Sequence, residues 1–207
     1  NISPVIAQLL LNRNITTLNQ AIDFLAESPK ETQFQIEKLE SLYAMIKACI
    51  DDNKPIFVYG DYDVDGMTST AMMVKCLTSL GGIVRYKLPH RFKDGYGLNK
   101  GIVNLVKEEG CGLFMTLDCG ITNVEEIALI KQETDVNVII IDHHQIPNPA
   151  PNADITLNSK DPETPLALQD LCTAGLVYKL VSYIQTKDSR IDIQYYLLLA
   201  AIGTVAD

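Results

Sequence analysis

The chain has 207 residues, of which 47% are hydrophobic, enough to bury one sizeable core or one core with a small appendage. It carries 26 acidic and 17 basic residues, so its formal net charge is -9. That charge argues against a protein that coats nucleic acid by neutralising phosphates. It does not exclude a nuclease, because bound divalent cations would reverse the electric field at a site.

The cysteines and the apolar stretches further restrict the class of protein and its compartment. Five cysteines are scattered without a Cys-x-x-Cys pair, which argues against a disulfide framework or a zinc ribbon and favours the cytoplasm. We expect no leader peptide and no membrane span, since the longest apolar stretch, residues 195–206, is shorter than the roughly 20 residues that a span needs. That stretch is typical of a core helix.

The order of helical and strand patterns predicts the architecture. Residues 1–52 show only helical patterns and predict a helical preface that packs on the rest. From residue 53 onward, strands and helices alternate. We therefore expect an α/β fold, with a mainly parallel sheet of about five strands flanked by helices.

Three predicted strands, over residues 54–60, 113–117 and 136–141, run into acidic or imidazole side chains; we place the last strand at the centre of the sheet. The side chains are Asp61, Asp63, Asp65, Asp118, Asp142, His143 and His144. In open α/β sheets, ligands collect at the carboxyl ends of the strands. Carboxylates gathered there repel each other and lose hydration, which is unfavourable without a cation. The pattern predicts a metal site.

The aspartates after the first strand also have the alternation of a calcium loop. The twelfth residue from Asp61 is Met72, where the calcium loop of an EF-hand has glutamate, so that interpretation fails. We expect instead a glycine turn at Gly66 and a helix from Met67, whose first amides could hold a phosphate oxygen.

Residues 89–99 form a locally basic, glycine-broken and aromatic segment. Such a loop suits contact with phosphates or bases, although a solvated surface loop is the commoner role. The candidate substrate-binding residues in it are Arg91, Tyr96 and Gly97. Arg91 offers a bidentate guanidinium to phosphate oxygens.

Four motifs together carry a family resemblance. They are Val-Tyr-Gly-Asp-Tyr-Asp-Val-Asp-Gly, Leu-Asp-Cys-Gly-Ile, Ile-Asp-His-His and Gly-Thr-Val-Ala-Asp, in that order. In these motifs the chain resembles the DHH phosphoesterase superfamily. The helical preface, the basic loop and Leu-Cys-Thr-Ala-Gly at 171–175 resemble its RecJ-type exonucleases. The resemblance implies a metal-dependent phosphodiesterase, a 5′ to 3′ exonuclease for single-stranded DNA in DNA repair and recombination.

The resemblance also implies a set of metal ligands. By this similarity, Asp63 and Asp65 hold one ion each and Asp118 bridges the two ions. His143 and Asp207 are implied as ligands of the second ion. Carboxylates with imidazole suit Mn2+ or Mg2+ better than zinc, and two ions about 3.5 to 4 Å apart would clamp a phosphate.

Other roles follow from the same resemblance. Asp142 would orient a neighbouring group, His144 would face the scissile phosphate, and Asp61 would be an outer partner of the ligands. Several relatives carry a histidine ligand four residues before the first ligand aspartate, where this chain has Tyr59. The first metal site would then be weaker, or completed by water.

Family proteins of the RecJ type continue into a closing domain and an oligonucleotide-binding module. We therefore expect residues 53–207 to be a truncated DHH phosphoesterase domain that is weakly active alone. The expected partners are single-stranded DNA and a repair helicase or single-strand-binding protein. Two alternatives stay open: a hydrolase of small phosphoesters such as cyclic dinucleotides, and a catalytically silent binding scaffold. The intact acidic positions argue against the scaffold.

Overall fold

The computed structural model describes residues 2–25, 33–93, 95–99, 101–164 and 169–207. Residues 26–32 of the predicted helical preface and Asp94 of the predicted basic loop lie outside this part of the chain. The elements are α1 (Pro4–Leu11), α2 (Leu18–Leu25), α3 (Gln33–Asp51), β1 (Ile56–Tyr59), α4 (Val64–Ser79), β2 (Val84–Lys87), α5 (Gly101–Glu109), β3 (Leu113–Leu117), α6 (Val124–Glu133), β4 (Asn137–Asp142), β5 (Ile155–Asn158), α7 (Thr173–Lys187) and α8 (Ile193–Ala206).

The five strands form one parallel sheet in the order β2-β1-β3-β4-β5. Alternate strand residues point to opposite faces, and helices cover both of them. One face packs against α3, α4, α7 and α8, and the other packs against α5 and α6. The prediction of a mainly parallel five-stranded sheet flanked by helices is confirmed.

The strand placed at the centre by the sequence is not the central one. β3 occupies the middle, and β4 lies between β3 and β5. The apolar run of β4 is buried because helices cover both faces and β5 pairs with its outer side. Burial on both faces therefore does not require the central position.

The helix after β1 begins earlier than the sequence predicted, at Val64 rather than Met67. The side chain of Asp63 caps it by accepting a hydrogen bond from the Gly66 N–H at 2.9 Å. Gly66 is thus helical, and the turn predicted there is wrong. A glycine is needed because a Cβ at this position would lie 2.7 Å from the backbone of Asp61.

The apolar stretch 195–206 forms most of α8, but the helix is not a core helix. Tyr196, Ala200 and Gly203 are buried, whereas Leu198 and Val205 are exposed. No helix among the described residues combines the length and the hydropathy that a membrane crossing requires.

The helical preface has two parts. Leu39, Leu42 and Ile46 of α3 are buried in the main core. Leu10 and Ile15, with residues of α2, form a separate small cluster.

Candidate metal centre and substrate loop

Acidic side chains from three separate elements surround the ring of His143. Its Nε2 atom lies 3.4 Å from Asp118 Oδ1, 3.6 Å from Asp207 Oδ1 and 3.9 Å from Asp65 Oδ2. Asp118 follows β3, Asp65 lies in the first turn of α4, and Asp207 follows α8. The structure thus brings together four predicted ligands that are far apart in the sequence.

Asp118 is held at the carboxyl end of β3 in a strained backbone conformation. Its φ of 62° lies in the left-handed region, and its backbone N–H donates to the Ile141 carbonyl at 3.0 Å. Its Oδ1 accepts a hydrogen bond from the Thr173 hydroxyl at 3.0 Å. Burial, followed by the charges of Asp65 and Asp63, raises the pKa of this carboxyl to about 10. Without a cation, the ionised form of Asp118 is therefore disfavoured at this centre.

Asp65 is fixed by the beginning of α7. The Thr173 N–H donates to its Oδ2 at 2.8 Å, and the Ala174 N–H donates to its Oδ1 at 2.7 Å. The first amides of a helix have no partner within the helix and carry partial positive charge, so they suit a carboxylate. Sequence reasoning missed Thr173 and Ala174 as functional residues. The available signal was the threonine that opens an apolar helical pattern.

A second group of carboxylates lies on the β1 side of Asp118. One oxygen each of Asp61, Asp63 and Asp118 lies within 4.8 Å of the others. Asp61 is only 2% exposed, and its Oδ1 has no hydrogen-bond partner among the described residues. Burial raises the pKa of Asp61. The family resemblance implied Asp61 as an outer partner of the ligands, and its carboxylate lies beside those of Asp63 and Asp118.

These groups fit divalent cations. We define the first group as Asp61, Asp63 and Asp118, and the second group as Asp65, His143 and Asp207. In the described part of the chain, the side chain within ion-pair distance of Asp65 and Asp118 is that of His143 rather than a lysine or an arginine. Buried carboxylate oxygens without a fixed cationic partner, next to imidazole, are a donor set suited to Mn2+ or Mg2+.

Asp142 holds His144 in place. Its Oδ1 accepts the Nδ1–H of His144 at 2.7 Å and the backbone N–H of His143 at 2.8 Å, and its Oδ2 accepts the Ile121 N–H at 3.1 Å. The proton position is assigned from this pairing. The hydrogen bond to Asp142 raises the pKa of His144. The ring is therefore held in one orientation and its cationic form is favoured.

The loop between β2 and α5 contacts the centre through Tyr96. The Tyr96 hydroxyl lies 3.4 Å from His144 Nε2 and 3.5 Å from the Asp118 carbonyl oxygen. Burial raises the pKa of Tyr96, so its hydroxyl stays protonated. The next residue, Gly97, has a φ of 75°, and its carbonyl accepts a hydrogen bond from the Tyr59 hydroxyl at 3.4 Å. Tyr59, at the position where the resemblance led us to expect a histidine ligand, thus supports the loop.

Two further contacts of this loop were not predicted. The Asn123 side chain accepts from the Leu98 N–H and donates to the Leu98 carbonyl, both at 3.1 Å. Arg91 is exposed and lies over the ring of Tyr62, with its guanidinium carbon 5.4 Å from the ring centroid. The later half of the loop is therefore hydrogen-bonded to the body, and Arg91 in the earlier half reaches the residue between Asp61 and Asp63.

The chain is an α/β protein with a parallel sheet. Its acidic and histidine side chains cluster at the carboxyl ends of the strands, where they could hold metal ions. The sequence matches the family described as "DHH family, N-terminal domain" over residues 55–204, so the chain belongs to the DHH family. The predicted resemblance to this family and to its RecJ-type members is confirmed.

Several known proteins match most of this chain in sequence or structure. The single-stranded-DNA-specific exonuclease RecJ of Bacillus subtilis (strain 168) is 34% identical over 211 residues, covering 100% of this chain and 26% of the relative. A crystal structure of exonuclease RecJ bound to manganese superposes with a TM-score of 0.74 and 33% identity over 88% of this chain and 45% of that chain. RecJ in complex with Mn2+ from Thermus thermophilus gives a TM-score of 0.70 and 28% identity, covering 100% of this chain and 28% of that one. The chain thus spans about a quarter of the length of the Bacillus relative.

Proposed function

We propose that this chain carries the metal-dependent phosphodiesterase centre of a single-stranded-DNA-specific 5′ to 3′ exonuclease that acts in DNA repair and recombination. The observation that carries the proposal is the convergence of Asp65, Asp118 and Asp207 on the Nε2 atom of His143. The similarity to RecJ exonucleases supports the substrate class. The polarity of digestion rests on the family resemblance.

In this proposal, the first and second groups hold one Mn2+ or Mg2+ ion each, and Asp118 contributes to both. The relatives whose structures contain manganese support this choice of ion. Two bound divalent ions supply an activated water and offset the negative charge of a phosphate.

The remaining site residues bind and orient the substrate. Asp142 keeps the His144 ring in one orientation, so that His144 donates a hydrogen bond or a proton as charge builds on the phosphoryl oxygens. Arg91 binds a phosphate of the strand, because its guanidinium offers paired donors. Tyr96, whose hydroxyl lies beside His144, and the adjacent Gly97 contact the substrate strand.

The family resemblance supplies the wider context of the proposal. Residues 1–52 are the helical preface and residues 53–207 the DHH phosphoesterase domain. A repair helicase or a single-strand-binding protein is the proposed protein partner, and the cytoplasm is the proposed location.

The test compares three substrates in Mn2+ with the protein in excess over substrate. They are a single-stranded oligodeoxynucleotide labelled at either end, the same strand in a duplex, and a linear dinucleotide. We expect stepwise shortening of the single strand from its 5′ end, loss of this activity in EDTA, and no activity of Asp118→Asn from the same purification. Preferential cleavage of the dinucleotide would favour the small-phosphoester alternative. Substrate binding without any cleavage would favour the scaffold.

A further inference from the structure

The side chains of Tyr62 and Arg91 connect the basic loop to the candidate metal centre. The Arg91 guanidinium carbon lies over the half-buried Tyr62 ring, 5.4 Å from its centroid, a cation–π arrangement. Tyr62 lies between Asp61 and Asp63, which both belong to the first group. The contact therefore joins the basic loop to the segment that carries two carboxylates of the first group.

A guanidinium near several carboxylates would ordinarily pair with one of them. Two other arginines do so, with Arg85 Nη1 2.6 Å from Glu109 Oε2 and Arg190 Nη2 2.6 Å from Asp188 Oδ2. For Arg91, no carboxylate of the described residues lies within ion-pair distance, and the recorded contact is the ring face. The aromatic ring thus holds the Arg91 cation without using a carboxylate oxygen.

The two kinds of contact leave different atoms of the arginine available. A carboxylate pair uses the N–H groups at the edge of the guanidinium, whereas a ring contact uses its flat face and leaves those donors directed outward. A salt bridge would also occupy carboxylate oxygens that a divalent ion needs. The ring contact therefore suits an arginine that must bind phosphate next to bound cations.

We propose that Tyr62 is a positioning residue, whose ring holds Arg91 against the segment that carries Asp61 and Asp63 so that the guanidinium N–H groups bind a phosphate of the substrate strand. This inference rests on the proposed function. The later half of the loop, from Tyr96 to Leu98, is hydrogen-bonded to the body, whereas the Arg91 guanidinium in the earlier half contacts the body through the Tyr62 ring. Ordering a long side chain before binding reduces the entropy lost on binding.

The test is a double-mutant cycle on the affinity for a labelled single-stranded oligonucleotide. Fluorescence anisotropy is measured in calcium, with a gel to check that the strand stays intact. Tyr62→Leu removes the ring face, Tyr62→Phe keeps it without the hydroxyl, and Arg91→Ala removes the cation. Tyr86→Leu, an exposed tyrosine on β2, is the matched control.

Tyr62→Leu is expected to weaken binding about two- to fivefold, the equivalent of an exposed cation–π contact. Tyr62→Phe is expected to restore the affinity, and Tyr86→Leu to leave it unchanged. In the Arg91→Ala background, Tyr62→Leu is expected to have no further effect. An equal loss in that background would mean that Tyr62 acts independently, for example by stacking on a base, and would overturn the inference. An unaffected Tyr62→Leu variant would also overturn it. Failure of the unmodified protein to bind single strands would instead contradict the proposed function.

Discussion

The first and second groups of the candidate metal centre are assembled in different ways. Asp61 and Asp63 are two residues apart and follow a single strand, so most of the first group is local in sequence. The second group combines Asp65 of α4, His143 after β4 and Asp207 after α8. The comparison shows that one metal position depends mainly on a short motif and the other on the packing of distant elements.

The packing that supports the second group is visible around Asp65. Two amides of α7 bind its carboxylate, and Gly203 of α8 lies against the same place. A shift of either helix would therefore displace Asp65 or Asp207. By contrast, Asp63 is held by a hydrogen bond within its own helix turn. The predictions below use these differences.

The largest expected effect is that of Asp118→Asn, because Asp118 belongs to the first group and its Oδ1 also lies 3.4 Å from His143 Nε2 of the second. Metal-dependent hydrolysis should fall by more than the roughly 10- to 100-fold that loss of an outer partner of a metal site costs. The fold should survive, since asparagine tolerates a φ of 62° and has nearly the size and shape of the protonated aspartate. Hydrolysis in Mn2+ and thermal denaturation measure the two outcomes. The control is Asp135→Asn, which lies just before β4 at the amino-terminal end of the strands. Wild-type turnover in Asp118→Asn would contradict a role of Asp118 at both metal positions.

The next effect separates the two groups. A Cβ on Gly203 would lie 2.5 Å from Ala174 Cβ and 2.7 Å from Thr68 Oγ1. Gly203→Ala should therefore move α8 and destabilise the fold by about 1–3 kcal/mol, the usual cost of overpacking. Denaturant unfolding measures the cost, and Mn2+ titration should show loss of the second ion with the first retained.

A matched control for that variant is Ala201→Ser, which adds one heavy atom on the exposed side of α8. It should leave both stability and metal binding unchanged. Equal weakening of both ions in Gly203→Ala would show that the groups are not held separately.

The pKa of Asp118 predicts how metal binding and stability respond to pH. Burial first, and then the charges of Asp65 and Asp63, raise the pKa of this carboxyl from 3.8 to about 10. Between these values, the metal-free folded protein binds more protons than the unfolded chain, so its stability falls as pH rises. Mn2+ must displace the proton, so its affinity should rise with pH. Melting temperatures at several pH values, with EDTA and with Mn2+, test both trends. A metal-free protein that becomes more stable toward alkaline pH would contradict this assignment.

The smallest effect concerns the substrate loop rather than the metal groups. Arg91→Ala should weaken single-strand binding and reduce the slope of log affinity against log salt by about 0.7, the value for one lost phosphate contact. The control is Arg85→Ala, which removes the same charge from a residue paired with Glu109. Equal slopes for Arg91→Ala and the unmodified protein would indicate that residues 89–99 are a solvated surface loop without a phosphate contact.

The sequence predicted the fold class because strands buried on both faces leave continuous apolar runs, as in β1, β3 and β4. It also predicted a cluster of acids and histidines after those runs, whereas Asp207, which follows α8, was implied by the family resemblance. It did not reveal the amides of Thr173 and Ala174 around Asp65, because these contacts join residues more than a hundred positions apart. The early start of α4 was missed because Asp63 was interpreted only as a ligand and not as a cap.

The most direct test of the account is a calorimetric titration of Mn2+ into the metal-free chain near neutral pH. Two ions per chain are expected, with protons released as Asp118 ionises, and Asp118→Asn should weaken both binding events. The Asp135→Asn control should reproduce the unmodified titration. Absence of Mn2+ binding, or binding of the same number of ions with the same affinity by Asp118→Asn, would contradict a two-ion centre organised around Asp118.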